Sequence, residues 1–186
     1  MSVLDRLAQD PAKDDQLILV DGQDREMGTA TKAQAHLQGM LHRAFSVVLW
    51  RDGTDGPEVL LARRAAAKYH SAGLWANSCC SHPRAGEELL AAAYRRVSEE
   101  LGCTVDHLEE IGSFAYRAEF TNGLTEYEYD HVLLGQYAGA VSPDPNEADT
   151  VRWIGLDGLA DELVKEPEHF AAWAYMVLTM VMQQIG

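Results

Sequence analysis

The segment Trp75-Ala-Asn-Ser-Cys-Cys-Ser-His-Pro83 brings together side chains that can carry out chemistry. Cys79 and Cys80 place two thiols shortly before the imidazole of His82, so a soft nucleophile or proton carrier lies beside a metal ligand. A glycine precedes the segment and a proline ends it, and both residue types disfavour a continuous helix. The pattern predicts an active-site loop. On these residues alone, a cysteine–histidine nucleophile pair is one interpretation.

Three histidines and two glutamates form a second set of candidate ligands. They are His36, His42, His82, Glu126 and Glu128. Imidazole nitrogens and carboxylate oxygens suit a borderline divalent ion such as Zn²⁺ or Mn²⁺. Glu126 and Glu128 alternate in a strand-like segment, so their side chains face the same side; a solvated strand face is the alternative. No ligand argument applies to His70, His107, His131 or His169.

Six basic residues cluster along the chain, although its formal net charge is −14. They are Lys32, Arg63, Arg64, Lys68, Arg95 and Arg96. Guanidinium groups recognise phosphate oxygens through paired hydrogen bonds. The clustering therefore predicts a site for a small phosphate-bearing anion, with a solvated basic surface as the alternative.

Residues 81–102 match most of a known motif. The segment has the form Ser81-x5-Glu87-x7-Arg95-Arg96-Val97-x-Glu99-Glu100-x-Gly102. It resembles the Nudix box, Gly-x5-Glu-x7-Arg-Glu-apolar-x-Glu-Glu-x-Gly-apolar, whose glutamates hold Mg²⁺ against a diphosphate because hard oxygens suit that ion. Ser81 replaces the first glycine and Arg96 replaces a glutamate, which argues against ordinary Nudix hydrolysis. An amphipathic helix with charged solvent-facing residues is the alternative.

Length and composition limit the classes of protein. The 186 residues fit one domain, and 47% hydrophobic with 24% charged residues is typical of a globular protein. No apolar run reaches the roughly 20 residues of a membrane helix and no signal-peptide core is visible, so we expect no membrane partner and a cytoplasmic location. The negative charge argues against a nucleic-acid partner. An odd number of cysteines predicts reduced thiols. A monomer is compatible with the sequence, which does not define an oligomeric state.

Hydrophobic periodicity predicts the secondary structure. Strands are expected at 17–20, 43–50, 58–63, 110–118, 127–137 and 150–154, and helices at 86–101, 156–164 and 168–185. The first helix has an expected buried stripe of Leu90, Ala93, Tyr94, Val97 and Leu101, with Glu100 at its edge. Residues 1–16 are polar and predict a flexible tail, and residues 17–186 predict a single domain. This order of elements predicts an α+β sandwich.

Together, these segments resemble the type I isopentenyl-diphosphate isomerase family, a divergent branch of the Nudix fold. The landmarks are Thr31-Lys32, His36, Leu41-His42-Arg43-Ala44-Phe45-Ser46, Arg63-Arg64, Trp75-x-Asn77-Ser78-x-Cys80-Ser81-His82-Pro83, Arg95-Arg96-x2-Glu99-Glu100-Leu101-Gly102, Tyr116-Arg117 and Glu126-x-Glu128. They extend over most of the chain, and their combination is specific although no single landmark is. The resemblance implies a Nudix-like α/β/α sandwich with a mixed sheet and flanking helices.

The resemblance also implies a reaction of isoprenoid biosynthesis, the interconversion of isopentenyl diphosphate and dimethylallyl diphosphate. A proton is added at one carbon and removed at another, which requires two proton-handling groups on opposite sides of a pocket. The resemblance assigns these roles to Cys80 and Glu128, with Tyr116 hydrogen-bonding Glu128 or completing the proton path. We favour Glu128 as the proton donor and Cys80 as the thiolate that removes a proton.

Two metal sites follow from the resemblance. The three histidines and two glutamates named above would hold one Zn²⁺ or Mn²⁺, whereas Glu100 and the backbone carbonyl of Cys80 would bind Mg²⁺ together with the diphosphate. The remaining phosphate oxygens would be neutralised by Lys32, Arg64, Lys68 and Arg96. Trp173 would offer a π face to a carbocation. We add the hypothesis that Arg96 replaces a hydrolytic glutamate in order to hold the diphosphate.

Two other functions share parts of this pattern. A Nudix hydrolase of a nucleoside diphosphate derivative would have the same fold and Mg²⁺ but would release phosphate. A non-catalytic metal-binding module of the same fold would bind metal without turnover. Ser81, Arg96, Cys80 and His82 favour the isomerase over the hydrolase. Retention of Cys80, Glu128 and the basic residues argues against the non-catalytic module.

Overall fold

A computed structural model describes residues 15–186, in which nine strands form one mixed sheet flanked by helices. The strands are β1 (Gln16–Val20), β2 (Glu26–Thr31), β3 (His42–Gly53), β4 (Gly56–Arg64), β5 (Trp75–Ala76), β6 (Cys79–Ser81), β7 (Glu109–Glu119), β8 (Thr125–Gln136) and β9 (Ala148–Gly155). The helices are α1 (Lys32–Gln38), α2 (Leu89–Leu101), α3 (Leu156–Lys165) and α4 (Ala174–Ile185), with a 3-10 helix at Pro167–His169. Strands β3 and β8 are parallel, whereas the other strand pairs are antiparallel.

The central strand β3 separates two hydrophobic cores because its side chains alternate between the faces of the sheet. Phe45, Val47 and Leu49 pack in the core that also holds the apolar side of α2. Val48 belongs to the opposite core, which contains buried residues of α3 and α4. The layers therefore run helix, sheet, helix, and the predicted α+β fold with a mixed sheet and flanking helices is confirmed.

Strand β8 changes character along one of its faces. Val132 and Leu134 pack in the α4 core, but nearer the start of the strand the same face carries Glu126, Glu128 and Asp130, all of them buried. Burying three carboxylates is costly unless they find positive or hydrogen-bonding partners. The strand therefore requires a polar cluster at its first half.

Most predicted elements are present with shifted ends. Strands β3 and β4 are neighbours, as expected from the short turn between them. The helix predicted at 86–101 begins only at Leu89. Leu90, expected in its buried stripe, is 42% exposed, and Ala92 is buried instead; Leu89 and Ala92 are the residues of the first turn that pack against the core.

The helix predicted at 168–185 is interrupted. Only Pro167–His169 and Ala174–Ile185 are helical, and the chain between them pairs with β5. Phe170 forms a parallel bridge with Trp75, and the backbone N–H of Ala171 donates to the Trp75 carbonyl at 2.9 Å. The backbone groups of Phe170 and Ala171 therefore pair with the edge of β5 and do not form the hydrogen bonds of a continuous helix.

The segment predicted as an irregular loop contains the two short strands β5 and β6. Strand β6 pairs with β3, with Cys80 opposite Ser46. The side-chain amide of Asn77 donates to the backbone carbonyls of Val47 and Cys79 at 3.1 and 2.8 Å. The expectation of a non-repetitive segment is therefore wrong for Cys80, which lies on a paired strand.

Strand β2 and helix α1 were not predicted. The helix has only seven residues, too few for a hydrophobic period to stand out. It begins with a capping box, in which the Thr31 hydroxyl accepts from the Gln34 backbone N–H and the Gln34 side chain accepts from the Thr31 N–H, both at 3.2 Å. That Thr-x-x-Gln spacing is a start signal visible in the sequence.

The predicted flexible tail at 1–16 lies outside the described residues except for its last two. Of these, Gln16 begins β1 and pairs with Thr31 of β2. Among residues 15–186, the helices all lack the combination of length and apolar character that a membrane crossing requires.

Gly102 allows a test of how the end of α2 packs against the loop between β8 and β9. It ends the helix at φ 61°, and a Cβ there would lie 2.7 Å from the Ser142 carbonyl oxygen. We expect Gly102→Ala to lower the free energy of unfolding by about 1–3 kcal/mol for the left-handed backbone and by about a further 1–3 kcal/mol for the steric overlap. Urea unfolding measures both.

The matched control is Gly123→Ala. Gly123 also has a positive φ, 86°, but a Cβ there would meet nothing within 4 Å, so only the backbone cost applies. Equal losses in the two variants would contradict a close approach of Ser142 to the helix end.

Candidate active site

Parallel pairing of β3 with β8 brings the first candidate metal ligands together. His42 and Glu128 are register partners, and Glu126 lies on the same face of β8 one alternation earlier. All three side chains are buried. The end of the sheet at which β3 begins is therefore lined with imidazole and carboxylate groups.

Helix α1 and the end of β6 complete this group. His36 on α1 is fully buried, with its ring centroid 5.0 Å from that of His42. His82 follows β6 directly, and its ring centroid lies 4.9 Å from that of His42. Five potential ligand atoms, one from each residue, lie within 4.8 Å of one another. We refer to His36, His42, His82, Glu126 and Glu128 as the His/Glu group.

Backbone carbonyls fix the orientation of two imidazoles. His36 Nδ1 lies 2.7 Å from the Lys32 carbonyl oxygen, and His42 Nδ1 lies 2.8 Å from that of Met40. A carbonyl oxygen can only accept, so both Nδ1 atoms donate a proton. In the neutral form of each imidazole, Nε2 then carries the lone pair and faces the centre of the group, the arrangement typical of metal-binding histidines.

The polar atoms of the His/Glu group are crowded, and two of them lack a hydrogen-bond partner among the described residues. His42 Nε2 lies 3.2 Å from His82 Nε2, so two imidazole nitrogens face each other. His36 Nε2 is 3.1 Å from Glu126 Oε1, yet among the described residues it has no hydrogen-bond partner, and neither has the buried Glu126 Oε2. A buried imidazole nitrogen and a buried carboxylate oxygen without hydrogen-bond partners are suitable ligand atoms for a divalent cation.

The electrostatics of His82, Glu126 and Glu128 favour the protonation states that a metal requires, whereas at His36 burial is outweighed by the charge of Glu126, which raises the pKa. Burial lowers the pKa of His82 to about 4, despite the opposing effect of Glu128. Burial would raise the pKa of Glu126, but contacts with His36 and a further histidine, His70, hold it well below its usual range. The pKa of Glu128 is likewise lowered. Burial and the charge of Glu126 act to raise it, but the contacts with His42 and His82 outweigh them. Neutral imidazole and ionised carboxylates are the ligand forms.

His70 was not predicted to take part. It lies on the loop after β4, and its Nε2 is 2.6 Å from Glu126 Oε1. Burial lowers the pKa of His70, although Glu126 opposes that shift. No short spacing joins it to the other histidines, so only the folded loop reveals the contact.

Glu128 connects the His/Glu group to the candidate proton path. Its Oε1 lies 2.7 Å from His82 Nε2, and its Oε2 accepts a hydrogen bond from the Tyr116 hydroxyl at 2.5 Å. Tyr116 stands opposite Glu128 in the β7–β8 ladder. The predicted contact between these two residues is therefore present in the structure.

The buried carboxylic acid Asp130 was also missed. It follows Glu128 on the same face of β8, and the Ser46 hydroxyl donates to its Oδ2 at 2.8 Å. Burial and the charge of Glu128 raise the pKa of Asp130 well above its usual range. The alternation of Glu126, Glu128 and Asp130 along the strand was visible in the sequence.

The surroundings of Cys80 differ from our expectation of a thiolate. Burial raises the pKa of the Cys80 thiol, Arg64 opposes this, and the carboxylates of Glu100, Asp130 and Glu128 raise it further. The described residues thus favour the protonated thiol. The sequence could not show this, because the three carboxylates come from α2 and β8.

A cavity of about 230 Å³ adjoins the His/Glu group. Of the predicted site residues, it is lined by Lys32, Arg64, Lys68, Cys80, His82, Arg96, Tyr116, Glu126, Glu128 and Trp173. His36 and His42 are not among its lining residues and are fully buried. Glu100 lines a second cavity of about 20 Å³ together with Cys80 and Arg64.

The basic residues around the cavity already contact acids and aromatic rings. Lys68 forms an ion pair with Glu147, a residue that the sequence analysis missed. The Lys32 ammonium lies 5.3 Å from the Tyr69 ring centroid. The Arg64 guanidinium lies 5.1 Å from the Trp173 ring centroid, and Arg64 Nε is buried without a hydrogen-bond partner in the described part of the chain. That donor is available to an anion.

Arg96 and Glu100 form a tight pair on α2. Arg96 donates to Glu100 Oε1 through Nε at 3.0 Å and Nη2 at 2.6 Å, and its Nη2 also lies 3.1 Å from Glu147 Oε1. Burial raises the pKa of Glu100, although Arg96 opposes it. Arg63 is not a lining residue of the main cavity and pairs with Asp149.

The indole of Trp173 is hydrogen-bonded to the side-chain amide of Asn77. Its indole Nε1 donates to Asn77 Oδ1 at 3.0 Å, and the Asn77 amide nitrogen is committed to two backbone carbonyls, so the orientation of the amide is determined. The sequence analysis predicted Trp173 within a helix, but the residue lies at the N-terminal cap of α4. The cap position places the ring at the cavity wall.

Comparisons with known proteins identify the family of the chain. Residues 40–174 match the family model described as NUDIX domain. A curated isopentenyl-diphosphate Delta-isomerase from Photobacterium profundum is 46% identical over 93% of this chain and 97% of its own length. One from Serratia proteamaculans is 44% identical over 89% of this chain and 90% of its own length.

Solved structures support the fold. DR0079 from Deinococcus radiodurans superposes with a TM-score of 0.69 at 17% identity, over 91% of this chain and 98% of its own. The NUDIX domain of Shewanella oneidensis NrtR, crystallised with ADP ribose, has a TM-score of 0.61 at 16% identity, over 78% of this chain and 88% of its own. With its Nudix fold and its full-length similarity to these enzymes, the chain belongs to the isopentenyl-diphosphate Delta-isomerase family.

Proposed function

We propose that this protein is an isomerase that interconverts isopentenyl diphosphate and dimethylallyl diphosphate. The observation that carries the proposal is one cavity that joins two proton-handling side chains, Cys80 and Glu128, to an aromatic ring and a set of cations. We assign the reaction to isoprenoid biosynthesis in the cytoplasm, a reducing compartment in which the three unpaired thiols would stay reduced.

The cations would bind the diphosphate. Lys32, Arg64, Lys68 and Arg96 line the cavity, and the buried Nε of Arg64 lacks a partner within residues 15–186. Lys68 and Arg96 both contact carboxylate oxygens of Glu147, and carboxylate and phosphate oxygens are recognised by the same charge-assisted hydrogen bonds. The cation cluster thus supplies the recognition that a diphosphate needs despite the net charge of −14.

Isomerisation moves one double bond by one carbon. The alkene electron pair forms a C–H bond with a proton from the protein, which leaves a tertiary cation, and loss of a proton from the neighbouring carbon forms the new double bond. We assign these transfers to Cys80 and to Glu128 with Tyr116. The hydrogen bond from Tyr116 to Glu128 gives that carboxylate a proton path.

Trp173 would stabilise the cationic centre. The residue is 3% exposed and lines the cavity, and its ring is hydrogen-bonded to Asn77, so it can present a π face without reorganising. The ring and its apolar neighbours would also exclude water, which would otherwise capture the cation.

We further propose two metal ions. The His/Glu group fits one Zn²⁺ or Mn²⁺, and Glu100 with the backbone carbonyl of Cys80 would hold a Mg²⁺. When bound, the first ion would tune the acidity of its surroundings and the second would neutralise diphosphate charge. Arg96 would keep Glu100 in place through its two hydrogen bonds.

The reaction itself is tested in deuterated water. We expect the protein, supplied with isopentenyl diphosphate, Mg²⁺ and either Zn²⁺ or Mn²⁺, to form dimethylallyl diphosphate that carries solvent deuterium, as followed by NMR. A chelator added beforehand should abolish the product. Phosphate release without isomerisation would instead favour the hydrolase, and no conversion with any of these metals would reject both enzymes.

Cys80 is tested against its neighbour. We expect Cys80→Ala to lower kcat by about 10²–10⁴-fold, the range for loss of a proton-transfer group, with the fold retained by circular dichroism. Cys79→Ala should keep its activity, because Cys79 packs in the α2 core. Full activity of Cys80→Ala would remove Cys80 from the reaction.

Arg96→Glu restores the carboxylate of the usual Nudix box. We expect KM to rise by about ten- to a hundredfold, the loss of a charge-assisted hydrogen bond of roughly 1.5–3 kcal/mol, and we expect no gain of phosphate release. Arg152→Gln is the matched control, because Arg152 is also paired with a glutamate, Glu162, but is not a lining residue of the cavity. An unchanged KM for Arg96→Glu would contradict the hypothesis that Arg96 holds the diphosphate.

A further inference from the structure

His70 stands at the border between the His/Glu group and the main cavity. It lies on the loop between β4 and β5, where the next residue, Ser71, has a φ of 49°. Its backbone carbonyl is 3.4 Å from the Arg64 guanidinium. Its side chain is 4% exposed, and the residue lines the cavity. A left-handed non-glycine residue is unusual and indicates that the loop conformation is determined by its surroundings.

The contacts of His70 define which atom donates. Nε2 lies 2.6 Å from Glu126 Oε1, and an ionised carboxylate only accepts, so Nε2 carries the proton. Nδ1 lies 3.3 Å from the Ser71 hydroxyl, which can donate to it. One oxygen of Glu126 is thereby engaged, while Oε2 stays buried without a hydrogen-bond partner in the described part of the chain.

Aromatic neighbours hold the His70 ring in this position. Phe120 stacks on it at 5.0 Å between centroids with an interplanar angle of 20°. Tyr69 meets it edge-on at 4.7 Å, and Trp173 does so at 5.9 Å. The ring therefore cannot rotate away from Glu126 without disturbing three aromatic contacts.

We propose that His70 is a positioning residue that fixes the Glu126 carboxylate as a metal ligand, an inference that rests on the metal site proposed for the His/Glu group. His70 is not one of the five residues with converging ligand atoms, so it acts through Glu126. Hydrogen-bond partners of metal-ligating carboxylates and histidines typically contribute 10–100-fold to metal affinity.

Zn²⁺ titration of the metal-stripped full chain, in competition with a chromophoric chelator, tests the inference. His70→Phe keeps the stacking but removes the donor, and we expect it to weaken Zn²⁺ binding by about 10–100-fold. His70→Gln places an amide N–H near the position of Nε2, and we expect it to restore most of the affinity. If His70→Phe does not fold, His70→Ala replaces it in the comparison of Zn²⁺ affinity with His70→Gln, because the smaller alanine side chain cannot overlap with the neighbouring residues.

His131→Gln is the matched control. His131 is also buried and contacts two carboxylates, Glu110 at 2.7 Å and Asp24 at 3.1 Å, but it lies outside the His/Glu group. The His131→Gln variant should have a lower melting temperature than the wild type but the same Zn²⁺ dissociation constant.

Unchanged Zn²⁺ affinity in both His70→Phe and His70→Ala would overturn the inference. So would an equal loss in His131→Gln, because the effect would then follow general stability. Wild-type protein that binds no Zn²⁺, or His42→Ala that binds it as well as wild type does, would instead reject the metal site itself. The two failures are thereby distinguished.

Discussion

The parallel pairing of β3 with β8 is the constraint on which the site depends. It sets His42 beside Glu128, and the alternation of β8 then places Glu126 on the same face. A slip of one residue would turn both glutamates to the opposite face, which Tyr127 and Tyr129 occupy as half-buried residues. The same strand β3 also pairs with β6 and so fixes Cys80. One register thereby positions the candidate metal ligands and the Cys80 thiol together.

Charge compensation is the second theme of the molecule. Arg96 stands where the Nudix box has a glutamate, and it contacts Glu99, Glu100 and Glu147. Buried carboxylates need such a partner, because an uncompensated charge in the interior costs several kcal/mol, by rough estimate. The acidic chain therefore concentrates its cations at the cavity, where they serve the fold as well as any bound anion.

The order of elements predicted an α+β sandwich, and residue types suggested His82, Glu126 and Glu128 as ligands, whereas the proximity of Cys80 to Glu128 was implied only by the family resemblance. Helix α1 was missed because seven residues carry too short a period, although its capping box was visible. His70 and Glu147 could not be predicted, because each lies on a loop and makes its contact with a distant element. The protonated state favoured at Cys80 depends on burial, which no local pattern encodes.

The bond between Trp173 and Asn77 joins positions 96 residues apart in the chain, and that between His82 and Glu128 joins positions 46 apart. Contacts of such long range form only after much loop-closure entropy has been lost, which slows folding. A ligand that binds only the finished site stabilises the native state by mass action, by about 2.7 kcal/mol at a hundred times its dissociation constant. Cellular supply of metal and substrate would thus govern how long the folded enzyme persists, as well as how fast it turns over.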